Sequence, residues 1–153
     1  MRLTVLGLVL VLTASAAAAE DRRWFAQLQA GRATLHDWDP SGRWYEGRVG
    51  RSFSGRVLSA DLGLVLSGAA EDYASLGAGF EVLPFPRAIV SPFARVEAGV
   101  MWEPESGGYI AGVGGGLAVR LDDRLSLRGG ASWGVHGDVE GPVVYCGGLQ
   151  FRW

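Results

Sequence analysis

Three observations predict an all-β protein, specifically an eight-stranded antiparallel up-and-down transmembrane β-barrel. Eight stretches alternate apolar with small or polar residues, the one continuous apolar run is too short to cross a bilayer as a helix, and a last alternating strand ends on Trp153. The stretches fall near 24–35, 43–53, 56–67, 73–83, 91–102, 109–121, 124–136 and 142–153. Segments of roughly ten residues suit strands that cross a bilayer at a tilt. An even number of antiparallel strands brings the chain back to its starting side. The sheet can then close, leaving no free edge in lipid, where an edge finds no hydrogen-bond partner. No stretch pairs a 3.6-residue period with caps, so no helix is expected after residue 19.

The first element is a targeting segment. Arg2 is its charged start, Leu3 to Leu12 its apolar stretch, and Ala14 to Ala19 its small-residue cleavage region before Glu20. That apolar stretch is about half the roughly 20 residues of a spanning helix. Residues 1–19 are therefore expected to be a signal peptide and 20–153 a single barrel domain. Loss of Arg2 moves the formal charge from −2 to −3, so no basic surface points to nucleic acid. All 14 basic residues are arginine, and Cys146 is alone, so no intramolecular disulfide can form. The 24 glycines against six prolines suit short strands and tight turns.

The strands follow in order, and their alternation separates two faces. In 56–67, Leu58, Ala60, Leu62, Leu64 and Leu66 oppose Val57, Ser59, Asp61, Gly63, Val65 and Ser67. In 73–83, Leu76, Ala78, Phe80 and Val82 oppose Ser75, Gly77, Gly79 and Glu81, and in 109–121, Val113, Leu117 and Val119 oppose Gly112, Gly114 and Gly116. The last strand sets Val143, Tyr145, Gly147, Leu149, Phe151 and Trp153 against Val144, Cys146, Gly148, Gln150 and Arg152. The connections after even strands, at Ser54-Gly55, Pro84-Phe85-Pro86 and Asp122-Asp123, are expected on the side of the termini. The longer ones, 36–42, 68–72, 103–108 and 137–141, are expected outside.

Periodicity alone does not tell a membrane barrel from a soluble lipocalin- or avidin-like one, whose apolar face points inward. The charges do. Glu46, Arg48, Asp61, Glu81, Arg95, Glu97, Arg120, Arg128 and Arg152 all share the polar, glycine-rich face. The apolar face carries charge only near strand ends, at Arg32 and Arg51, where arginine can snorkel. An arginine at the midplane of a lipid face costs about 2–4 kcal/mol, so the apolar face is expected outside and the charges in the lumen. Glycines there leave room for long side chains. Turn geometry sets Arg48 opposite Asp61 and Glu81 opposite Arg95, and both pairs are expected within salt-bridge distance inside a plugged barrel. Trp24, Trp44, Tyr45, Tyr73, Trp102, Tyr109, Trp133, Tyr145, Phe151 and Trp153 lie toward strand ends, as girdles at the two headgroup levels should.

The eight segments, the leader and the terminal row of Tyr145, Leu149, Phe151 and Trp153 resemble the small OmpA/OmpX-type family of outer-membrane β-barrels. The likeness spans the chain after the leader and is architectural. It implies residence in the outer membrane, insertion by the barrel assembly machinery with that terminal row as its signal, and no catalytic residues. Terminal Phe is commoner than Trp in that family, and Gly147 interrupts the row.

Two further candidates stand beside this reading. Each outer connection carries two acids: Asp37 and Asp39, Glu71 and Asp72, Glu103 and Glu105, Asp138 and Glu140. Hard divalent cations favour several carboxylate oxygens, although solvated loop tips carry such acids as well and no EF-hand ligand series is present. His136, with Ser132 before it and Glu140 after, resembles the residues that a lipid A deacylase, also an eight-stranded barrel, uses at this level. The pattern departs from that family, because His136 precedes Gly137 and Asp138 rather than Ser and Asn, and alternation turns it toward the lumen. Cys146 is expected to pack quietly there, and Gly114-Gly115-Gly116 opens no helix and so is no phosphate loop. The expectation is a monomeric, non-enzymatic barrel without cofactor or bound metal, in contact with outer-membrane lipid, with a structural role or, through the loop of Trp38 and Pro40, an interaction role.

Overall fold

The computed structural model describes residues 21–34, 42–69, 73–102, 107–136 and 139–153. The expected signal peptide lies outside the described residues, as do most of the loop acids. Eight strands run β1 (Asp21–Thr34), β2 (Arg43–Ser54), β3 (Ser59–Ala69), β4 (Tyr73–Leu83), β5 (Val90–Trp102), β6 (Gly107–Arg120), β7 (Leu125–His136) and β8 (Val139–Arg152). Each pairs antiparallel with its neighbour, and β8 returns to β1 to close the barrel. The seam runs from Phe25 opposite Arg152 to Thr34 opposite Val143. It is extended by two backbone bonds of 3.0 Å between Trp24 and Trp153, each N–H donating to the other's carbonyl. One irregularity, between Trp133 and Val135, interrupts the β7–β8 register.

The links between even and odd strands explain where the sequence-based limits shift. The β2–β3 turn takes four residues rather than two: Ser54 pairs with Ser59, and Gly55 N donates to Leu58 O at 2.8 Å. The expected register moves accordingly. Arg48 lies opposite Val65, and Asp61 opposite Ser52. In the β4–β5 link Phe85, held between two prolines, adopts φ 102°, a conformation that costs a non-glycine residue about 1–3 kcal/mol. Its N–H is tied to Val57 O at 2.9 Å, and its carbonyl accepts from Ala88 N at 3.0 Å. In the β6–β7 turn Asp122 Oδ1 accepts from Arg124 N at 2.6 Å and Leu125 N at 2.8 Å, the Asx-turn its position favours. These donors hold the Asp122 carboxyl below its ordinary pKa. The turn's contribution is thus present above the normal carboxylate pKa and lost as pH falls through the lowered one.

The alternation sorts side chains as a membrane barrel requires. Leu28 and Leu64 are 73% and 60% exposed on the outer wall, whereas Asp61 and Glu81 are fully buried. A soluble barrel would reverse this, since it places its apolar rows inward and its charges in water. Trp24, Phe151 and Trp153 stand outward near the turn end, the last two with stacked rings 5.9 Å apart. Tyr45, Trp102, Tyr109, Trp133 and Tyr145 stand outward toward the loop end. Arg51 lies over the Trp24 ring at 4.7 Å, an arginine at a strand end against an interfacial aromatic. Trp44 departs from the expected girdle. It is buried inside the loop end against Ala33 and Val144, because it shares the parity of Glu46 and Arg48 in β2. The Tyr73 side chain lies outside the described residues.

Candidate functional site

Two storeys of charge fill the lumen. In the one nearer the turns, Glu81 on β4 receives Arg48 from β2 at 2.9 Å and Arg128 from β7. Asp61 on β3 accepts from Ser52 Oγ at 2.6 Å, Gln150 Nε2 at 2.7 Å and Arg152 Nη2 at 3.2 Å, and lies 3.6 Å from Arg128. Arg128 also donates to Gln150. In the storey nearer the loops, Arg95 on β5 donates to Glu46 at 2.7 Å, Gln29 at 3.2 Å and Ser132 Oγ at 3.1 Å. Glu97 is on the same side, its Oε1 3.3 Å from where a Cβ on Gly112 would lie. Arg120 faces inward beside the turns.

Neither expected ion pair forms as drawn. Glu81 and Arg95 are opposite in the β4–β5 register, as anticipated. Their charged ends nevertheless find other partners, Arg48 and Arg128 for Glu81 and Glu46 for Arg95. Arg48 bonds to Glu81, while the ion pairs of Asp61 among the described residues are with Arg128 and Arg152. Long side chains in a narrow cylinder span its bore rather than lie along one hairpin. Neighbour-strand register therefore places the Cα atoms without naming the partner. Uncharged members join the charges: Gln27, Gln29 and Ser52, which alternation alone does not single out, are buried inside with Gln150. So is Phe25, with Arg48 over its ring at 6.0 Å, while Arg128 lies over Phe93 at 5.4 Å. Their signal was the parity they share with the charges.

The glycines of the lumen make space for these arms. A Cβ on Gly79 would lie 2.8 Å from Val65 Cγ2 and 3.1 Å from Arg48 Nη2, whereas one on Gly129, facing outward, would meet nothing within 4 Å. Gly79→Ala is expected to destabilise the barrel by about 1–3 kcal/mol through overpacking, and Gly129→Ala to leave it near wild type. Urea titration of the two variants in lipid vesicles measures the difference.

The candidate reactive groups are placed as follows. Ser132 is buried and its hydroxyl accepts from Arg95, while Cys146 Sγ donates to Gln29 Oε1 at 3.3 Å. The side chains of His136 and Glu140 lie outside the described residues, although both positions fall within strands. Asp37, Asp39, Glu71, Asp72, Glu103, Glu105 and Asp138 also lie outside them. Among the described residues no cluster of His, Cys, Asp and Glu could hold a metal ion. Tyr145, Leu149 and Phe151 of β8 and Trp153 just after it form one outward row.

A closed eight-stranded antiparallel sheet, apolar outside and ionic within, is the fold of the small transmembrane β-barrels. Solved structures share it. The N-terminal β-barrel domain of Pseudomonas aeruginosa OprF aligns at a TM-score of 0.61 with 13% identity, over 86% of this chain and 97% of that one. Neisserial surface protein A aligns at 0.57 with 10% identity and the same coverage. A de novo designed transmembrane β-barrel aligns at 0.52 with 16% identity, over 86% of this chain and 95% of the design. No protein-family profile matches the chain, and no curated protein matches it by sequence.

Proposed function

We propose that this chain is an integral protein of the bacterial outer membrane, a plugged barrel that acts without catalysis and whose role is structural. The observation that carries this reading is the inverted distribution of side chains: exposed leucines and valines around the wall, and buried Asp61, Glu81, Arg95 and Arg128 within. Lipid is the solvent in which that distribution is stable. The occupied lumen supports a plug rather than a pore. The hydroxyl of Ser132, engaged by Arg95, supports a non-enzymatic reading over an acyl hydrolase. In this reading the barrel is a monomer, the termini and short turns face the periplasm, and the outward row of Tyr145, Leu149, Phe151 and Trp153 is what the assembly machinery recognises.

Cell fractionation combined with gel electrophoresis before and after boiling tests the proposal. The expected result is recovery in the outer-membrane fraction, with a compact species that shifts in mobility on heating. Recovery in the soluble periplasmic fraction, with no heat-dependent shift, overturns it.

A further inference from the structure

At the turn end the lumen opens into a cup of about 250 Å³, walled by Arg23, Arg87, Arg120, Arg124, Arg128 and Arg152. Only two carboxylates, Asp122 and Asp123, share its lining. Asp122 is turned to the backbone N–H groups of its own turn. The cup does not continue as a channel. Its floor is the ion network of Arg128 with Glu81, Asp61 and Gln150, beside the apolar contact of Leu83, Phe93 and Ala118.

Among the described residues the ion pairs of the cup are unevenly shared. Arg128 and Arg152 are matched by Asp61 and Glu81 beneath them. The guanidinium of Arg120, half-buried in the wall, has no ion-pair partner among the described residues, and that of Arg124 at the exposed rim has only the nearby carboxylate of Asp122, which is already engaged by its own turn. The buried Nε–H groups of Arg128 and Arg152 also lack a protein acceptor. A half-buried guanidinium with no anion is costly, and its planar fork of donors matches the oxygens of a tetrahedral oxyanion. We propose that this cup binds a phosphate group, with Arg120 and Arg124 as the principal donors and Arg152 as the wall behind them. The site lies inside the cylinder and opens along its axis, so a soluble phosphate can enter from water. The headgroup of a lipid at the inner rim carries the same chemistry.

The test uses the folded full chain in an uncharged alkyl-glycoside micelle, at constant ionic strength so that screening alone gives no saturable response. Inorganic phosphate is titrated in one arm and a short-chain phosphatidylglycerol in the other, with the backbone amide resonances of residues 120–125 as the readout. Saturable shifts with inorganic phosphate assign a soluble ligand, and shifts with the lipid alone assign a headgroup. In either case Arg120→Gln is expected to weaken binding about ten-fold, the scale of one charge-assisted hydrogen bond. Arg32→Gln, on the outer wall at the other end, is expected to leave binding unchanged. Absence of a saturable response in both arms overturns the proposal, as does equal affinity in wild type and Arg120→Gln. The heat-dependent gel shift of each variant reports its fold separately. A folded barrel that ignores phosphate therefore removes this site and leaves the membrane assignment untouched.

Discussion

Replacement of Glu81 with alanine is expected to destabilise the barrel by about 3–5 kcal/mol, the cost of stranding buried charge. Glu81 is shared by two arginines from different strands, Arg48 and Arg128, and all three side chains are essentially inaccessible to solvent. Without it two guanidinium groups remain in a low-dielectric interior, and only Arg128 keeps a second acid, Asp61, at 3.6 Å. Urea unfolding in lipid vesicles, read by tryptophan fluorescence and by the fraction of heat-shifted protein, gives the loss. The Arg48→Met change in the same background should recover part of it, because removing both partners of a buried pair costs less than removing one. Wild-type urea resistance in Glu81→Ala would show that the network does not hold the barrel together. Glu46→Gln, which touches Arg95 alone among the arginines paired here, should cost less than Glu81→Ala.

The second large effect lies on the opposite surface. Leu64 is at the middle of β3 and points outward, so Leu64→Arg is expected to cost about 2–4 kcal/mol in vesicles, the penalty of an arginine at the bilayer midplane. The same change at an exposed site of a water-soluble barrel would cost almost nothing. The comparison with detergent is informative, since a micelle deforms around the new charge more readily than a bilayer does. If Leu64→Arg matches wild type in vesicles, the outer wall is not in contact with lipid.

Much of this architecture was legible because one period-two rule governs both faces of every strand. The rule found eight strands and placed Asp61, Glu81, Arg95 and Arg128 together on the inside, since each shares the parity of its strand's glycines and small polar residues. It failed where a turn had to be counted. Gly55 suggested a two-residue turn, but Arg56, Val57 and Leu58 are also used, and the register of β2 against β3 slid with them. It failed again where distance across the bore mattered more than adjacency, as with Arg95, which reaches past Glu81 to Glu46. Trp44 lies inside because parity, rather than nearness to a strand end, decides which face a side chain takes. The arginine cup is legible only in part: strand order alone puts Arg23, Arg87 and Arg124 at the turn-side rim, but it takes closure to bring Arg120, Arg128 and Arg152 to them from β6, β7 and β8.

That closure sets a condition on assembly. Seven of the eight strand interfaces join neighbours in the chain, but the eighth unites residues 25–34 with 143–152, and the buried acid Asp61 draws Gln150 and Arg152 from the same late stretch. A chain without the fourteen residues of β8 would hold two raw borders and a buried acid, Asp61, deprived of Gln150 and Arg152. The finished cylinder therefore cannot form before β8 is available to both β7 and β1.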